Sequence, residues 1–250
     1  MPSQTATQAG AAPQEGARTV PGLLTVLIPA FNERDTILPA IRRVLESPVE
    51  KEVLVVDDAS TDGTSEILRS QVEGRLPGVR VVFLQRNGGK GAAIRAAIPH
   101  IRGDWVVIQD ADLEYDPAEF PRLLRPVLEE GAEIVYGSRF LQGRPRMRLP
   151  NRAINWLLAR MVRLLYGAPL TDEATCYKLF RTSVLRSLPL ACQRFEFCPE
   201  VTAKALRRGH RIVEVAISYE PRTIAQGKKI RWHDGVVAIW TLLRLRFWRG

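Results

Sequence analysis

The sequence is poor in cysteine, with only Cys176, Cys192 and Cys198 in 250 residues and no CxxC pair among them. That number and spacing provide neither a disulfide framework nor a zinc knuckle, so we expect a reducing compartment. No run of about eighteen apolar residues is present, which argues against a transmembrane helix. The N-terminus has no basic segment followed by an apolar one, and we therefore predict no secretory signal.

Charged residues are divided unevenly along the chain. Residues 1–20, rich in Ala, Gln, Thr, Gly and Pro, are predicted to form a disordered tail. Residues 1–138 contain 14 Lys and Arg against 20 Asp and Glu, a net charge of −6, whereas residues 139–250 contain 22 against 7, a net charge of +15. An acidic half that can bind metal thus precedes a basic half that can bind anions. Nucleic acid, an anionic membrane and a phosphorylated substrate are all compatible with this distribution.

Apolar runs alternate with amphipathic stretches between residues 23 and 138. The β-branched runs predict strands and the stretches between them predict helices. Such alternation with short links predicts a mostly parallel α/β sheet with helices on both faces. The predicted strands cover 23–29, 52–58, 79–84, 103–110 and 132–138, and the predicted helices cover 35–46, 64–72, 90–98 and 117–130.

Carboxylates lie at the carboxyl ends of two of the predicted strands. Asp57 and Asp58, in VVDDASTDGT, come directly after four apolar residues, and Asp110 and Asp112, in VVIQDADLEY, are one residue apart. Ligands of parallel sheets bind at the carboxyl ends of the strands. Closely spaced carboxylates suit Mg²⁺ or Mn²⁺, which leave coordination positions for substrate phosphates.

Two other interpretations would also account for some of these carboxylates. An acidic helix N-terminus would account for residues 112–119, because the helix dipole favours negative charge there. A phosphoreceiver domain also has an acidic pair at a strand end, but that pair should follow the first strand, whereas LLTVLIP precedes it here. The receiver is therefore disfavoured, and the two acidic motifs together favour a metal and nucleotide site.

Four motifs in this order, IPAFNERDTI, VVDDASTDGT, RNGGKGAA and QDADLEY, resemble those of the family 2 glycosyltransferases with the GT-A fold. Within that family the sequence is similar to the dolichol- and polyprenyl-phosphate glycosyltransferases over about residues 23–235. The resemblance implies a GT-A-type, Rossmann-like domain in residues 21–231 and an amphipathic C-terminal helix in 232–250. It also implies a metal-dependent, inverting transfer of a hexose, mannose or glucose, from a GDP- or UDP-linked sugar to a polyprenyl or dolichyl phosphate.

The same resemblance implies roles for individual positions. The nucleoside is expected to contact Pro29, Phe31, Glu33 and one of the pair Asp57 and Asp58. RNGGKG does not match the P-loop pattern, so Lys90 is expected either to shape the nucleotide pocket or simply to begin a helix. Mg²⁺ or Mn²⁺ is expected on Asp110 and Asp112, which flank Ala111, with Glu114 as a further candidate ligand. The basic groups expected near the donor diphosphate and the lipid phosphate are Arg139, Arg152, Lys178, Arg222, Lys228 and Lys229. Asp112 and Arg139 are the predicted catalytic residues.

The chemistry of such a transfer agrees with what the sequence offers. A lipid phosphate is already ionised, so its attack on the sugar needs no general base, and positioning limits the reaction. A metal acts as Lewis acid and template, while cationic side chains stabilise the departing diphosphate. The three histidines, His100, His210 and His233, lie away from the strand-end motifs.

Residues 151–167 and 235–248 predict two further helices that combine apolar residues with Arg and Trp. They are either interfacial helices at a lipid headgroup boundary or core helices with snorkelling Arg. Because no C-terminal membrane helices follow, we expect a peripheral protein at the cytoplasmic face of the membrane. A single interfacial helix attaches only reversibly, which leaves room for a membrane partner subunit.

Other functions stay open at this point. The donor site could serve a different acceptor, such as a glycan or glycolipid. GKKIRWHDG, with Trp232 for stacking, could belong to a non-catalytic nucleic-acid-binding protein. The acidic motifs disfavour that alternative, and no nucleic-acid partner is predicted.

Overall fold

The computed structural model describes residues 20–143, 145, 147–222 and 232–248. The predicted N-terminal tail lies outside this range except for Val20, and so do Lys228 and Lys229. The architecture is a seven-stranded sheet with helices on both faces, which confirms the predicted α/β class.

The strand order across the sheet is β3-β2-β1-β4-β6-β5-β7, and every strand except β6 runs parallel to β1. All five predicted strands are present. Two further strands were not predicted, because β6 and β7 are short and carry charged residues within apolar runs. The strands are β1 Val20–Ala30, β2 Lys51–Asp57, β3 Val79–Phe83, β4 Gly103–Ile108, β5 Ile134–Ser138, β6 Lys178–Arg181 and β7 Ile212–Ala216.

Eight α-helices are present in the described ranges. A π-helical turn at Leu68–Val72 extends α2, and a 3-10 turn at Pro117–Glu119 precedes α4. The helices are α1 Ile37–Glu46, α2 Thr64–Ile67, α3 Lys90–Ala97, α4 Phe120–Glu130, α5 Leu149–Tyr166, α6 Thr182–Ser187, α7 Phe197–Arg207 and α8 Trp232–Leu245.

Successive side chains of the central strands point to opposite faces of the sheet, and both faces are buried. On β2, Val53 and Val55 pack with α1 and α4, whereas Leu54 and Val56 pack with the layer that contains α3, α5, α7 and α8. This explains why β2 reads as a continuous apolar run: neither face meets water.

Helices α5 and α8 pack against each other, and the Tyr166 hydroxyl donates to the Leu242 carbonyl oxygen at 2.5 Å. Each helix has one face in the core and another exposed, so the core-helix interpretation accounts for only half of each surface. No described helix is long and apolar enough to cross a membrane. We refer to the exposed sides of these two helices as the exposed face of α5 and α8. Its apolar residues are Leu149, Trp156, Leu157, Leu164, Val236, Val237, Trp240 and Leu243.

Candidate functional site

A cavity of about 880 Å³ opens at the carboxyl edge of the sheet, where the predicted motifs converge. Parallel strands deliver the loops that follow them to one edge, which brings together residues far apart in sequence. Most of the predicted site residues line this cavity: Pro29, Phe31, Glu33, Asp58, Lys90, Asp110, Ala111, Asp112, Glu114, Arg139 and Arg222.

The loops after β1, β2 and β4 each contain a non-glycine residue in the left-handed region. These residues are Asn32 at φ 51°, Ala59 at φ 57° and Leu113 at φ 65°. Such conformations cost on the order of 1–3 kcal/mol each and persist where surrounding contacts determine them. Hydrogen bonds between the loops supply such contacts, since Asn32 N donates to Ser60 Oγ at 2.9 Å and Thr61 N donates to Asn32 Oδ1 at 2.8 Å.

The structure separates the roles of the acidic pair after β2. Asp57 does not line the cavity; its carboxylate accepts hydrogen bonds from Ser60 N and Ser65 Oγ within its own turn. Asp58 lines the cavity, and its carboxylate accepts from Gly88 N at 2.8 Å and Gly89 N at 2.7 Å. Burial raises the pKa of Asp58, although these two backbone N–H groups oppose the shift. Asp58 therefore shapes the glycine-rich loop from inside the cavity.

Lys90, at the first position of α3, is an internal counter-ion of the acidic cluster. Its ammonium pairs with Asp110 and lies 2.9 Å from Cys176 Sγ. Burial acts to lower the pKa of Lys90, but the Asp110 carboxylate and the nearby thiols outweigh it and hold this pKa above its usual range. Lys90 thus stays charged beside Asp110.

Arg222 contacts three of the acidic side chains. Its Nη1 lies 3.1 Å from Glu33 Oε2, its Nη2 lies 3.4 Å from Asp112 Oδ2, and its backbone N donates to Glu114 Oε1 at 2.7 Å. Burial and then the neighbouring Asp110 and Glu114 carboxylates raise the pKa of Asp112 to about 7. Of the two carboxylates Asp110 and Asp112, Asp112 is the one whose pKa is raised, while the pKa of Asp110 is lowered.

Glu114 is not grouped with Asp110 and Asp112 as a third metal ligand. Besides its bond from Arg222, its carboxylate accepts from the Tyr219 hydroxyl at 2.8 Å. Within residues 20–143, 145, 147–222 and 232–248, no three His, Cys, Asp or Glu side chains are placed to hold a metal together. Asp110 and Asp112 stay the predicted pair of metal ligands at this edge.

Arg139, just after β5, is fixed by a residue that the sequence analysis did not single out. Its Nε and Nη2 each lie 2.7 Å from an oxygen of Asp172, and its backbone N donates to the same carboxylate at 3.0 Å. Asp172 is fully buried and Arg139 nearly so. Glu214 in turn holds the Asp172 backbone N at 2.9 Å. The result is a cation in the cavity wall with a fixed orientation.

Two basic residues expected at the site do not line the cavity. Arg152 is half-buried in the first turn of α5. Lys178 is fully buried in β6, where its ammonium donates to the Glu173 carbonyl oxygen at 2.8 Å and lies 3.4 Å from the Tyr136 ring centre. Lys178 was expected near a diphosphate, but the structure places its charge inside the core, where an aromatic face and a carbonyl oxygen compensate it.

Several lining residues carried no motif in the sequence. Glu173 and Cys176 come from the segment before β6, and Arg194 comes from the connection between α6 and α7. Their neighbours give no periodic or spacing signal, and only the fold brings them to the carboxyl edge. One wall is apolar and includes Ile154 and Leu158 of α5 and Ala238 of α8.

The model of the family described as glycosyl transferase family 2 matches residues 25–188, well over half of the chain. The chain belongs to this family. The resemblance of the four motifs is thereby confirmed. This family 2 glycosyltransferase is an enzyme, and the alternative of a non-catalytic nucleic-acid-binding protein is not supported.

Its relatives include polyprenyl-phosphate sugar transferases. It is 32% identical over 240 residues to an undecaprenyl-phosphate mannosyltransferase of Micrococcus luteus, covering 88% of this chain and 97% of that one. It is 32% identical over 214 residues to an undecaprenyl-phosphate 4-deoxy-4-formamido-L-arabinose transferase of Edwardsiella ictaluri, and 29% identical over 205 residues to a dodecaprenyl-phosphate galacturonate synthase of Rhizobium johnstonii. These alignments cover 82% and 80% of this chain but only 62% and 59% of those relatives.

Solved structures support the fold of this glycosyltransferase. Glucosyl-3-phosphoglycerate synthase from Mycobacterium tuberculosis, in complex with Mn²⁺, UDP and glucosyl-3-phosphoglycerate, superimposes with a TM-score of 0.66 at 22% identity. The match covers 98% of this chain and 88% of that one. A GT-A-type sheet is thus confirmed.

Proposed function

We propose that the enzyme transfers a hexose, mannose or glucose, from a GDP- or UDP-linked sugar to a polyprenyl phosphate with inversion, assisted by Mg²⁺ or Mn²⁺. One observation carries this proposal: a single cavity joins the acidic motif residues Asp58, Asp110 and Asp112 to the fixed cation Arg139 and to the apolar wall of α5 and α8. A charged donor and an amphipathic lipid acceptor both need surfaces of these kinds. The relatives named for polyprenyl-phosphate acceptors support the same acceptor class.

The donor nucleoside is assigned to the loops after β1 and β2. Pro29 and Phe31 offer an apolar and aromatic surface, and Glu33 and Asp58 offer carboxylates to base or ribose donors. Between the two members of the acidic pair, Asp58 is the better candidate for this contact because Asp57 lies outside the lining.

The carboxylate oxygens at the end of β4 are suitable ligands for a hard divalent cation. Asp110 and Asp112 are two carboxylates in the wall of one cavity, and Mg²⁺ is typically held by one or two carboxylates together with substrate phosphates and water. When bound, such an ion supplies Lewis-acid stabilisation of the departing diphosphate. Lys90 and Arg222 keep these carboxylates in place through ion pairs.

Arg139 is assigned to the reacting phosphates. Its guanidinium is held on one edge by Asp172 and lies 5.0 Å from the Tyr219 ring centre, so it needs no reorganisation when negative charge develops. No histidine lines the cavity in the described part of the chain. This arrangement suits an acceptor that is already ionised and requires positioning only.

The exposed face of α5 and α8 is proposed to rest on the cytoplasmic surface of the membrane, peripherally. Trp156 and Trp240 are 65% and 63% exposed, and Arg160 and Arg244 are exposed on the same two helices. Tryptophan and arginine beside aliphatic residues are characteristic of helices that lie in a headgroup boundary. The same helices form the apolar wall of the cavity. The tail of a lipid acceptor could therefore stay on an apolar surface while its phosphate reaches Arg139. A membrane partner subunit would strengthen the attachment.

The proposal is tested by incubating the purified protein with GDP- and UDP-linked mannose and glucose, Mn²⁺ and undecaprenyl phosphate in mixed micelles. We expect glycolipid product from one donor, its loss with a chelator, and a drop of at least about 100-fold for Asp112→Asn, as for other residues that stabilise developing charge.

Asp116→Asn is the matched control. Asp116 caps the turn before α4 by accepting from Ala118 N at 3.0 Å, and asparagine caps equally well. The control should keep wild-type transfer. Sugar recovered on a glycan instead of the polyprenyl phosphate, or transfer unaffected by chelation, would contradict the proposal.

A further inference from the structure

Glu173 lies in the short segment before β6 whose other residues contact two cations of the cavity, Arg139 and Lys90. Its preceding neighbour Asp172 holds Arg139, and Cys176, three residues later, contacts the Lys90 ammonium at 2.9 Å. Glu173 lines the same cavity as both cations. In a transfer between a diphosphate and a lipid phosphate, the sugar occupies the space between the two.

The Glu173 carboxylate is fully buried and poorly satisfied. Oε1 accepts a long hydrogen bond from Thr202 Oγ1 at 3.3 Å, and Oε2 has no hydrogen-bond partner among the described residues. The Lys178 ammonium donates its hydrogen bond to the backbone carbonyl oxygen of Glu173 instead. Burial raises the pKa of Glu173 to about 7, with Lys178 opposing the shift.

An unsatisfied buried carboxylate is costly, so its presence in the wall of a binding cavity calls for a partner that arrives with the ligand. A carboxylate accepts hydrogen bonds and repels phosphates. Arg139 is the cation assigned to the reacting phosphates, and Lys90 and Arg222 pair with Asp110 and Asp112 beside the proposed metal position. The remaining part of the reactants that bears hydrogen-bond donors at this place is the transferred sugar.

We infer that Glu173 selects the sugar by accepting a hydrogen bond from one hydroxyl or amino group of the glycosyl unit. This inference rests on the proposed function. A site that is built to bind a polar group discriminates strongly against an analogue that lacks it, because the buried protein group is then left unpaired. Glu173 is therefore a specificity-determining residue, not an acid or base.

The test compares Glu173→Gln with the wild type in binding by titration calorimetry with Mn²⁺. The nucleoside diphosphate alone should bind both proteins with Kd values within twofold, whereas the preferred sugar nucleotide should bind the variant at least tenfold more weakly. A series of deoxy donor analogues and their amino counterparts extends this comparison. One deoxy analogue should bind poorly to the wild type and lose no further affinity in the variant, and the amino analogue at that position shows whether an amine replaces the hydroxyl.

Glu52→Gln is the matched control. Glu52 is also a buried glutamate, but it lies in β2 outside the cavity, and its carboxylate is satisfied by Thr25 Oγ1 at 2.7 Å, Arg80 Nη2 at 2.8 Å and Arg102 N at 2.8 Å. Its substitution should lower thermal stability and leave the preference among sugar nucleotides unchanged. Glu173→Gln should show the reverse: altered preference without a loss of stability.

Equal affinity of wild type and Glu173→Gln for every sugar nucleotide overturns the inference, and so does an equal loss for the nucleoside diphosphate alone. The binding measurement does not require an acceptor. If the wild type transfers no sugar to polyprenyl phosphate while Glu173→Gln still changes sugar-nucleotide affinity, the proposed acceptor fails and the role of Glu173 stands.

Discussion

The buried Glu173 should make the wild-type protein lose stability as the pH rises from 5 to 8. The folded protein holds its proton up to a pKa of about 7, whereas an unfolded chain releases it near 4.5. Between these values the folded state binds more protons than the unfolded state, so raising the pH favours unfolding. The full cost is absent below pH 4.5 and present above pH 7.

The size of this effect follows from the shift. At 1.36 kcal/mol per pKa unit, a rise from 4.5 to about 7 amounts to roughly 3 kcal/mol. No discount for solvent screening applies, because the side chain is fully buried. In a protein of this length, 1 kcal/mol corresponds to about 2–4 °C in Tm. The variant Glu173→Gln carries no charge to bury, so at pH 8 it should melt roughly 6–12 °C above the wild type.

Urea unfolding of both proteins at pH 5, 6, 7 and 8 measures this difference directly. The gap should be small at pH 5, where the wild-type side chain is a neutral carboxyl close in shape to the amide, and should grow toward pH 8. Other titrating groups are common to both proteins and cancel in the comparison. A gap that is independent of pH, or a variant that is less stable at pH 8, would refute the assigned burial of an unsatisfied carboxylate.

Three further substitutions test other parts of the structure. Gly89→Ala should cost about 2 kcal/mol or more in urea unfolding, because φ is +88° and a Cβ would lie 2.7 Å from a main-chain oxygen; Gly78→Ala, at φ +76° in open space, should show only the smaller backbone strain. Arg139→Lys removes the two-point pairing and should lower kcat about 100-fold with a much smaller change in sugar-nucleotide Kd, and an equal loss of that affinity would contradict a role in stabilising the charge that develops during transfer. Arg244→Glu should weaken sedimentation with anionic vesicles at least about fivefold, whereas Arg125→Glu, exposed on α4, should not; equal binding by all three proteins would remove the membrane face.

The first half of the fold could be predicted because each element carries its own periodic signal. β2 is buried on both faces and reads as a continuous apolar run, and α1 buries Ile37, Ile41 and Val44 at helical spacing. β6 has no such signal. It is four residues long and begins with Lys178, which a sequence pattern assigns to a surface. Its place in the sheet depends on the partners β4 and β5 and on the carbonyl and ring that surround the ammonium.

The site residues also differ in whether a local sequence pattern identifies them. Asp58, Asp110 and Asp112 lie at or just after the ends of predicted strands, so the rule that ligands bind at strand ends was sufficient to find them. The meaning of Asp172 and Glu173 depends on groups about thirty residues away, Arg139 and Thr202, and no local pattern records such pairing. Choosing between Asp57 and Asp58 likewise required the structure, in which the Asp57 carboxylate accepts hydrogen bonds from its own turn.

The reversed direction of β6 has a consequence for how this enzyme can change. In a parallel strand the residues that reach the site come after the strand, but those of β6 come before it, and they enter between the ends of β4 and β5. These residues form a short part of the cavity wall. It is bounded by Asp172, which pairs with Arg139, and by Tyr177, whose hydroxyl donates to the Asp116 carbonyl oxygen. If Glu173 selects the sugar as inferred, substitutions that change the sugar preference should fall within residues 173–176, while the nucleotide loops and the exposed face of α5 and α8 keep their sequence.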